Sequence, residues 1–298
     1  MANPFIEDIK KQYKSGSVLI KLIFVNITMF LLVHIIGLLL WLFGISNGSE
    51  LMVYWLALPA DLSNLIVKPW TLISYMFLHE SLMHILMNML VLYFGAQIFL
   101  QFLNGKKLLG VYLWGGLGGG LLYILAFNIF PVFGPYVPHS LALGASASVM
   151  AVLVAAATYV PNFVVRLMFL GNVKMKYIAL AYVVLDIISI RQGNSGGHIA
   201  HLGGALIGFM FAKQLLKGKD LTIGLNRFLD YLKSAFSSQR KMKVVYKNPR
   251  KTKTDYDYNT QKKANQEKVD AILDKIAKSG YDSLTGEEKA ILFDASKK

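Results

Sequence analysis

Cysteine is absent from the 298 residues, and charge is nearly absent from long stretches of the first two-thirds. Without thiols there is no disulfide framework and no thiolate metal site, and the redox compartment leaves no mark on the composition. The first apolar run has no clear A-x-A cleavage site and is longer than a signal-peptide core, so it is read as a retained span. No nucleic-acid-binding motif accompanies the net charge of +14, because 18 of the 31 Lys and Arg residues follow residue 217 and the charge belongs mainly to a tail. What remains is apolar. The chain is 55% hydrophobic with a mean hydropathy of +0.47, too greasy for a soluble domain of this size, which predicts an all-α polytopic membrane protein.

Uncharged length marks six candidate spans: Leu22–Ile45, Leu82–Leu103, Leu108–Phe130, Leu141–Val160, a short fifth over Val173–Ile190, and Gly196–Ala212. Lys and Arg collect in the N-tail (Lys10, Lys11, Lys14, Lys21), in the 104–107 turn, in the 161–176 loop and in the C-tail. The alternate loops hold only Lys68 and Arg191. The positive-inside rule then puts both termini in the cytoplasm and the protein in the cytoplasmic membrane. Spans two, four and six start from the outer side, so His84, Ser146, His198 and His201 are expected at a similar depth.

The predicted organisation is an N-tail over 1–16, a six-span domain over 17–217, an amphipathic juxtamembrane helix over 218–238, a basic linker over 239–264 and a small helical unit over 265–298. Leu221, Leu225, Phe228, Leu229, Leu232 and Phe236 recur at helical spacing beside basic residues, as in a helix lying on the inner leaflet. In the last unit Val269, Ile272, Leu273 and Ile276 form a stripe, Gly280 is placed as a C-cap, and Thr285-x-x-Glu288 reads as a capping box. Two such helices cannot build a sizeable core of their own.

Polar residues within the apolar part carry the chemistry. All six histidines lie there. His79-Glu-Ser-Leu-Met-His84 approaches the zinc-protease signature, but ligands five apart diverge on a helix where the signature needs four. His84 and Asn88 are four apart and share a face, suitable as paired donors to an oxyanion or as polar cross-links between helices. Gly144-Ala-Ser146 opens the fourth span. His198 and His201 are three apart, with Gly204-x-x-x-Gly208 forming a close-packing face one turn below. From the residues alone three readings stand: helix packing, a dyad with Ser146 as nucleophile and His201 as its base, or a metal site from His84, His198, His201 and Asp186.

The ordered set His79-x-x-x-x-His84-x-x-x-Asn88, Gly144-x-Ser146 and Ala200-His201-Leu-Gly-Gly204-x-x-x-Gly208 resembles the motifs of the rhomboid intramembrane serine proteases, over roughly residues 15 to 217. The resemblance extends to the bacterial six-span type with a C-terminal cytoplasmic helical extension. It implies that Ser146 attacks the scissile carbonyl and His201 activates it, while the Ser146 N–H, His84 and Asn88 hold the oxyanion. His79 is then structural, Gly144 permits close backbone approach, Ser148 is a bystander and His198 a proton or water contact. No cofactor or metal is implied, and no third acid is expected, so Asp186 has no assigned role. The implied partners are transmembrane protein substrates and the lipid bilayer, not nucleic acid. His79, Glu80, Ser81, His139 and Ser140 are expected to keep the cavity wet, and the short fifth span with the 191–197 loop is expected to act as a side gate. Two positions depart from the family pattern. Trp70 is followed by Thr71 where the family often has arginine, a difference that bears on packing of the first loop against lipid rather than on activity. Met150 stands where an aromatic ring usually packs on the base, and a thioether can also pack there. The alternative function is a pseudoprotease that binds membrane helices without cutting them.

Overall fold

Hydrocarbon offers no partner to a backbone N–H or C=O, so a chain this apolar must satisfy its backbone within helices. The computed structural model describes residues 16–168, 170–236 and 255–296 and is built almost wholly of helices. The N-tail before residue 16 and the stretch from Arg240 to Lys253, expected to be a basic linker, lie outside the described residues. Contacts divide the chain into two units, Met1–Ser238 and Gln239–Lys298.

The first unit begins with α1 (Val18–Leu42), capped by the Ser17 hydroxyl, which accepts from the Ile20 N–H at 3.4 Å. Then come α2 (Gly48–Leu56), β1 (Leu58–Pro59), α3 (Leu62–Val67) and α4 (Thr71–Ser74), which build the first loop. The bundle continues with α5 (Leu82–Phe102), α6 (Gly105–Ile129), β2 (Leu141–Ala142), α7 (Ser146–Tyr159), the hairpin β3 (Val164–Leu167) and β4 (Gly171–Lys174), α8 (Met175–Ser189), α9 (Ser195–Leu216) and α10 (Ile223–Phe236). Among the described residues α1, α5, α6 and α9 are long and apolar enough to cross a membrane.

The fourth expected span is shorter than its apolar run. Leu141 and Ala142 are extended and pair antiparallel with Pro59 and Leu58, and Gly144 turns the chain at φ +128°, so the helix starts only at Ser146. Fourteen residues make a helix of about 21 Å, less than the ~30 Å hydrocarbon thickness. It need not meet lipid: every residue from Ala147 to Ala157 is buried. The fifth span likewise starts at Met175, because Val173 belongs to the β3–β4 hairpin formed within the 161–176 loop.

Small residues make the enclosure of α7 possible. A Cβ on Gly115 would lie 2.2 Å from the Ala151 Cβ, and one on Gly119 would lie 2.5 Å from the Ala147 Cβ, so α6 packs against α7 almost backbone to backbone. Without a hydrophobic driving force between helices in lipid, such close contact and buried hydrogen bonds supply the cohesion. Asn26 provides one such bond, donating to the Leu22 carbonyl at 2.8 Å and the Tyr112 hydroxyl at 3.2 Å, while Tyr112 donates to the Met76 carbonyl at 3.1 Å.

The first loop is well packed without the arginine. Lys68 is 2% exposed, its ammonium donates to the Tyr54 carbonyl at 2.9 Å and sits 3.5 Å from the Tyr54 ring centroid. Thr71 donates to the Lys68 carbonyl at 2.6 Å, and Trp70 stacks on Trp55 while donating to its carbonyl at 2.8 Å. Beyond α9, the juxtamembrane helix α10 and the turn before it are tied to the start of α6: Lys106 pairs with Asp230 of α10 at 2.7 Å and Lys107 with Asp220 of the turn at 3.2 Å.

In the second unit α11 (Asp255–Ser279) starts earlier than expected, inside the stretch read as linker, and α12 (Gly286–Ser296) follows. Gly280 ends α11 at φ +80°, and Ile272 and Leu284 are the buried apolar side chains among the described residues of this unit. The capping box closes reciprocally: the Thr285 N–H donates to Glu288 at 2.8 Å and the Glu288 N–H to the Thr285 hydroxyl at 3.3 Å, with Lys275 on the same carboxylate at 2.9 Å. The Thr285 N–H and the Lys275 ammonium hold the Glu288 carboxyl below its usual value. A carboxylate lowered by folding stabilises the folded form above its unfolded value, and that contribution is lost as pH falls through the folded value. Hydrogen-exchange protection of α12 in the full chain is therefore expected to fall on acidification below about pH 4.5. A Glu288→Gln variant should show the lower protection already at neutral pH; equal protection in the two would refute the role of the charge.

Candidate active site

Three helices enter the same end of the bundle with their N-terminal turns. Ser81 caps α5 by accepting from the His84 N–H at 3.2 Å, which fixes His84 in the first turn. Asn194 caps α9 from a left-handed conformation (φ +47°), its side chain accepting from the Gly197 N–H at 3.1 Å. Ser146 is the first residue of α7, so its N–H has no acceptor within the helix and lies at the positive end of the helix dipole.

These ends surround a cavity of about 710 Å³ lined by His79, Glu80, His84, Gly144, Ser146 and Ala200, among others. Gly144 is needed for space as well as for its φ: a Cβ there would lie 3.0 Å from His84 Nε2 and 3.5 Å from Ser146 Oγ. The His84 ring and the Ser146 hydroxyl thus both border the space beside Gly144. His79 is buried beside the His84 ring, ring centroids 5.1 Å apart. Ser148 is 1% exposed, does not line the cavity, and sits where α7 meets Gly115 of α6. Two serines two apart on a helix face opposite ways, and Ser146 is the one open to the cavity.

Gly204 and Gly208 bring α9 against α7. A Cβ on Gly204 would lie 2.0 Å from the Ala147 carbonyl oxygen, and one on Gly208 would lie 2.2 Å from that of Ala151. His201 is one turn above Gly204 and follows Ala200, which lines the cavity, but is not itself on that wall. Met150 is buried one turn below Ser146.

Other expected positions fall differently. Among the described residues no hydrogen bond joins Ser146 to His201. Asn88 is buried and one amide N–H donates to the His84 carbonyl at 2.9 Å, rather than lining the cavity. His139 and Ser140 are not on its wall; Ser140 accepts from the Tyr123 hydroxyl at 2.9 Å. Asp186, left without a role by the spacing, is 6% exposed and accepts from Nδ1 of His198 at 2.8 Å and of His201 at 2.9 Å. The ligand atoms of these three side chains lie within 4.8 Å of one another. His84 does not join them, so the four-residue metal set is not assembled.

Compared with known proteins, residues 67–218 match the family model described as the Rhomboid domain, and residues 252–298 match a family of unknown function, DUF6576. RHOMBOID-like protein 12, mitochondrial, of Arabidopsis thaliana is 29% identical over 158 residues, 50% of this chain and 47% of that protein. Presenilin-associated rhomboid-like protein A, mitochondrial, of Danio rerio is 31% identical over 138 residues, 45% of this chain and 34% of the relative. The human presenilin-associated rhomboid-like protein, mitochondrial, is 28% identical over 174 residues, 56% and 42% of the two chains. The chain thus spans less than half the length of each of these relatives.

Proposed function

Because the chain belongs to the rhomboid family of multi-pass membrane proteins, we propose that it is an active serine endopeptidase that cuts transmembrane proteins near the outer membrane face. The observation that carries this is Ser146, at a helix N-terminus on the wall of a cavity that His84 also lines.

In the proposed reaction Ser146 Oγ attacks the scissile carbonyl carbon and its proton passes to His201 Nε2. The carbonyl oxygen becomes an oxyanion at the N-terminus of α7, within reach of the Ser146 N–H and His84. This is where a helix end and a preformed donor stabilise developing negative charge most. Asn88 holds the His84 backbone through its bond to the carbonyl and has a second amide hydrogen to offer. His201 then returns the proton to the leaving amine, and water, activated by the same imidazole, hydrolyses the acyl-serine. Glu80 and His79 on the cavity wall give that water polar neighbours. The Ser146–His201 contact is proposed to tighten on substrate binding, as catalytic hydrogen bonds of empty sites often do. Basic loops on one side support an orientation with both termini in the cytoplasm, and the cytoplasmic membrane is the proposed location.

The missing Ser146–His201 bond favours one rival, a rhomboid-like pseudoprotease that binds membrane helices without cutting them. Fluorophosphonate labelling of the purified protein separates the two. Labelling is expected in the native chain and in Ser148→Ala, and none in Ser146→Ala. A native chain that neither labels nor cleaves a helical substrate in proteoliposomes would be the pseudoprotease.

A further inference from the structure

The described part of α8 buries only three residues, Met175, Ala179 and Asp186, and turns the rest of its length outward. Burying a carboxylate in such a helix is costly unless it is hydrogen-bonded. Asp186 Oδ1 accepts from Nδ1 of both His198 and His201, while Oδ2 is buried with no hydrogen-bond partner among the described residues. The turn that makes this possible is itself fixed: the Ser195 hydroxyl donates to the Ile190 carbonyl at 2.6 Å and Gly193 takes φ +103°. The last turn of α8 is thereby folded back on the first two turns of α9, where both histidines lie.

We infer that Asp186 is a positioning residue for His201, a third member of the catalytic group carried on α8; this rests on the Ser146–His201 reading above. A neutral imidazole bears one N–H, and a carboxylate can only accept, so the bond at Nδ1 places the proton there. Nε2 is then bare and able to take the Ser146 proton. When it does, the imidazolium forms beside a carboxylate that needs no reorganisation to stabilise it. The Nδ1 bond also stops the ring from turning, a task otherwise left to packing by a flexible side chain such as Met150. His198 donates to the same oxygen and keeps it aimed at α9. The same bonds account for the cluster of Asp186, His198 and His201 without an ion.

The test compares the native chain with Asp186→Ala and Asp186→Glu in proteoliposomes, with imidazole 15N NMR of the purified protein alongside. Asp186→Ala is expected to lower kcat about a hundredfold with KM changed less than about twofold, because it removes orientation of the base and no substrate contact. Asp186→Glu is expected to recover part of the loss. In the native chain His201, identified by its absence from His201→Gln, should be protonated at Nδ1 with Nε2 bare; in Asp186→Ala the two tautomers should mix. A native His201 protonated at Nε2 instead would overturn the inference even if no variant folded. A native-like kcat in Asp186→Ala, with Ser146→Ala and His201→Ala both inactive, would overturn it while leaving the protease reading intact. Loss of native activity with EDTA, restored by zinc, would make the cluster a metal site and also overturn it. A native chain that never labels at Ser146 would instead defeat the protease reading, and the NMR measurement would still decide whether Asp186 sets the tautomer.

Discussion

Ser146→Ala, His201→Ala and the double variant are each expected to lower cleavage of a transmembrane substrate by about 10⁴-fold or more, with the double variant no worse than either single one. The reason is that in the proposed dyad nucleophile and base act as one unit. Without the hydroxyl no acyl-enzyme forms, and a competent His201 has nothing to deprotonate. Without the imidazole the hydroxyl keeps its proton at neutral pH and is a poor nucleophile. Ser146→Ala should still fold, since its hydroxyl makes no hydrogen bond among the described residues, and His201→Ala removes one of two donors to Asp186 Oδ1 while His198 keeps the other. Asn88→Ala and His84→Ala should behave differently, lowering kcat by about 10- to 1,000-fold because each removes a single contributor to the oxyanion. Progress curves in proteoliposomes, with fluorophosphonate labelling as the acylation readout, measure all of these. Additive losses in the double variant would mean that Ser146 and His201 do not act on the same proton, and the dyad would be abandoned.

What the sequence could and could not reveal follows from the range of the interactions. Glycine spacing on the sixth span predicted a close approach to a neighbour, because a small residue repeated every four marks one helix face; Gly204 and Gly208 do meet the α7 backbone. The capping box at Thr285 and Glu288 is equally local and was legible for that reason. The start of α7 was not. Leu141 to Leu143 are as apolar as the helix that follows, and only the pairing with Leu58 and Pro59, more than eighty residues earlier in the chain, makes them extended. Asp186 was missed on the same grounds. It bears no fixed spacing to either histidine across the α8–α9 turn, so hydropathy shows only a charge in a short span, while the folded chain shows two donors on one oxygen. The buried Lys68 and the Trp55–Trp70 stack likewise depend on contacts that Trp70-Thr71 alone did not disclose.

Enlarging Gly204 is expected to slow the reaction about a hundredfold or more although the residue carries no side chain into the cavity. A Cβ at this position would lie 2.0 Å from the Ala147 carbonyl oxygen and 2.8 Å from its carbon. Both are backbone atoms of the residue after the proposed nucleophile, inside a helix buried over Ala147 to Ala157, and cannot swing aside as a side-chain tip would. The helices must then separate by about 1 Å or more to restore ordinary contact, and a misplacement of that size costs about a hundredfold in rate when it falls between reacting groups. Overpacking a tight interior also destabilises by about 1–3 kcal/mol. Gly204→Ala should therefore fold with a lowered Tm, label with fluorophosphonate about a hundredfold more slowly and keep its KM for substrate, while Gly204→Val should fail in both stability and labelling. Gly134→Ala is the matched control, because a Cβ there meets nothing within 4 Å. If Gly204→Ala labelled at the native rate, the approach of α9 to α7 would not set the distance between His201 and Ser146, and the base would have to reach the nucleophile by another route.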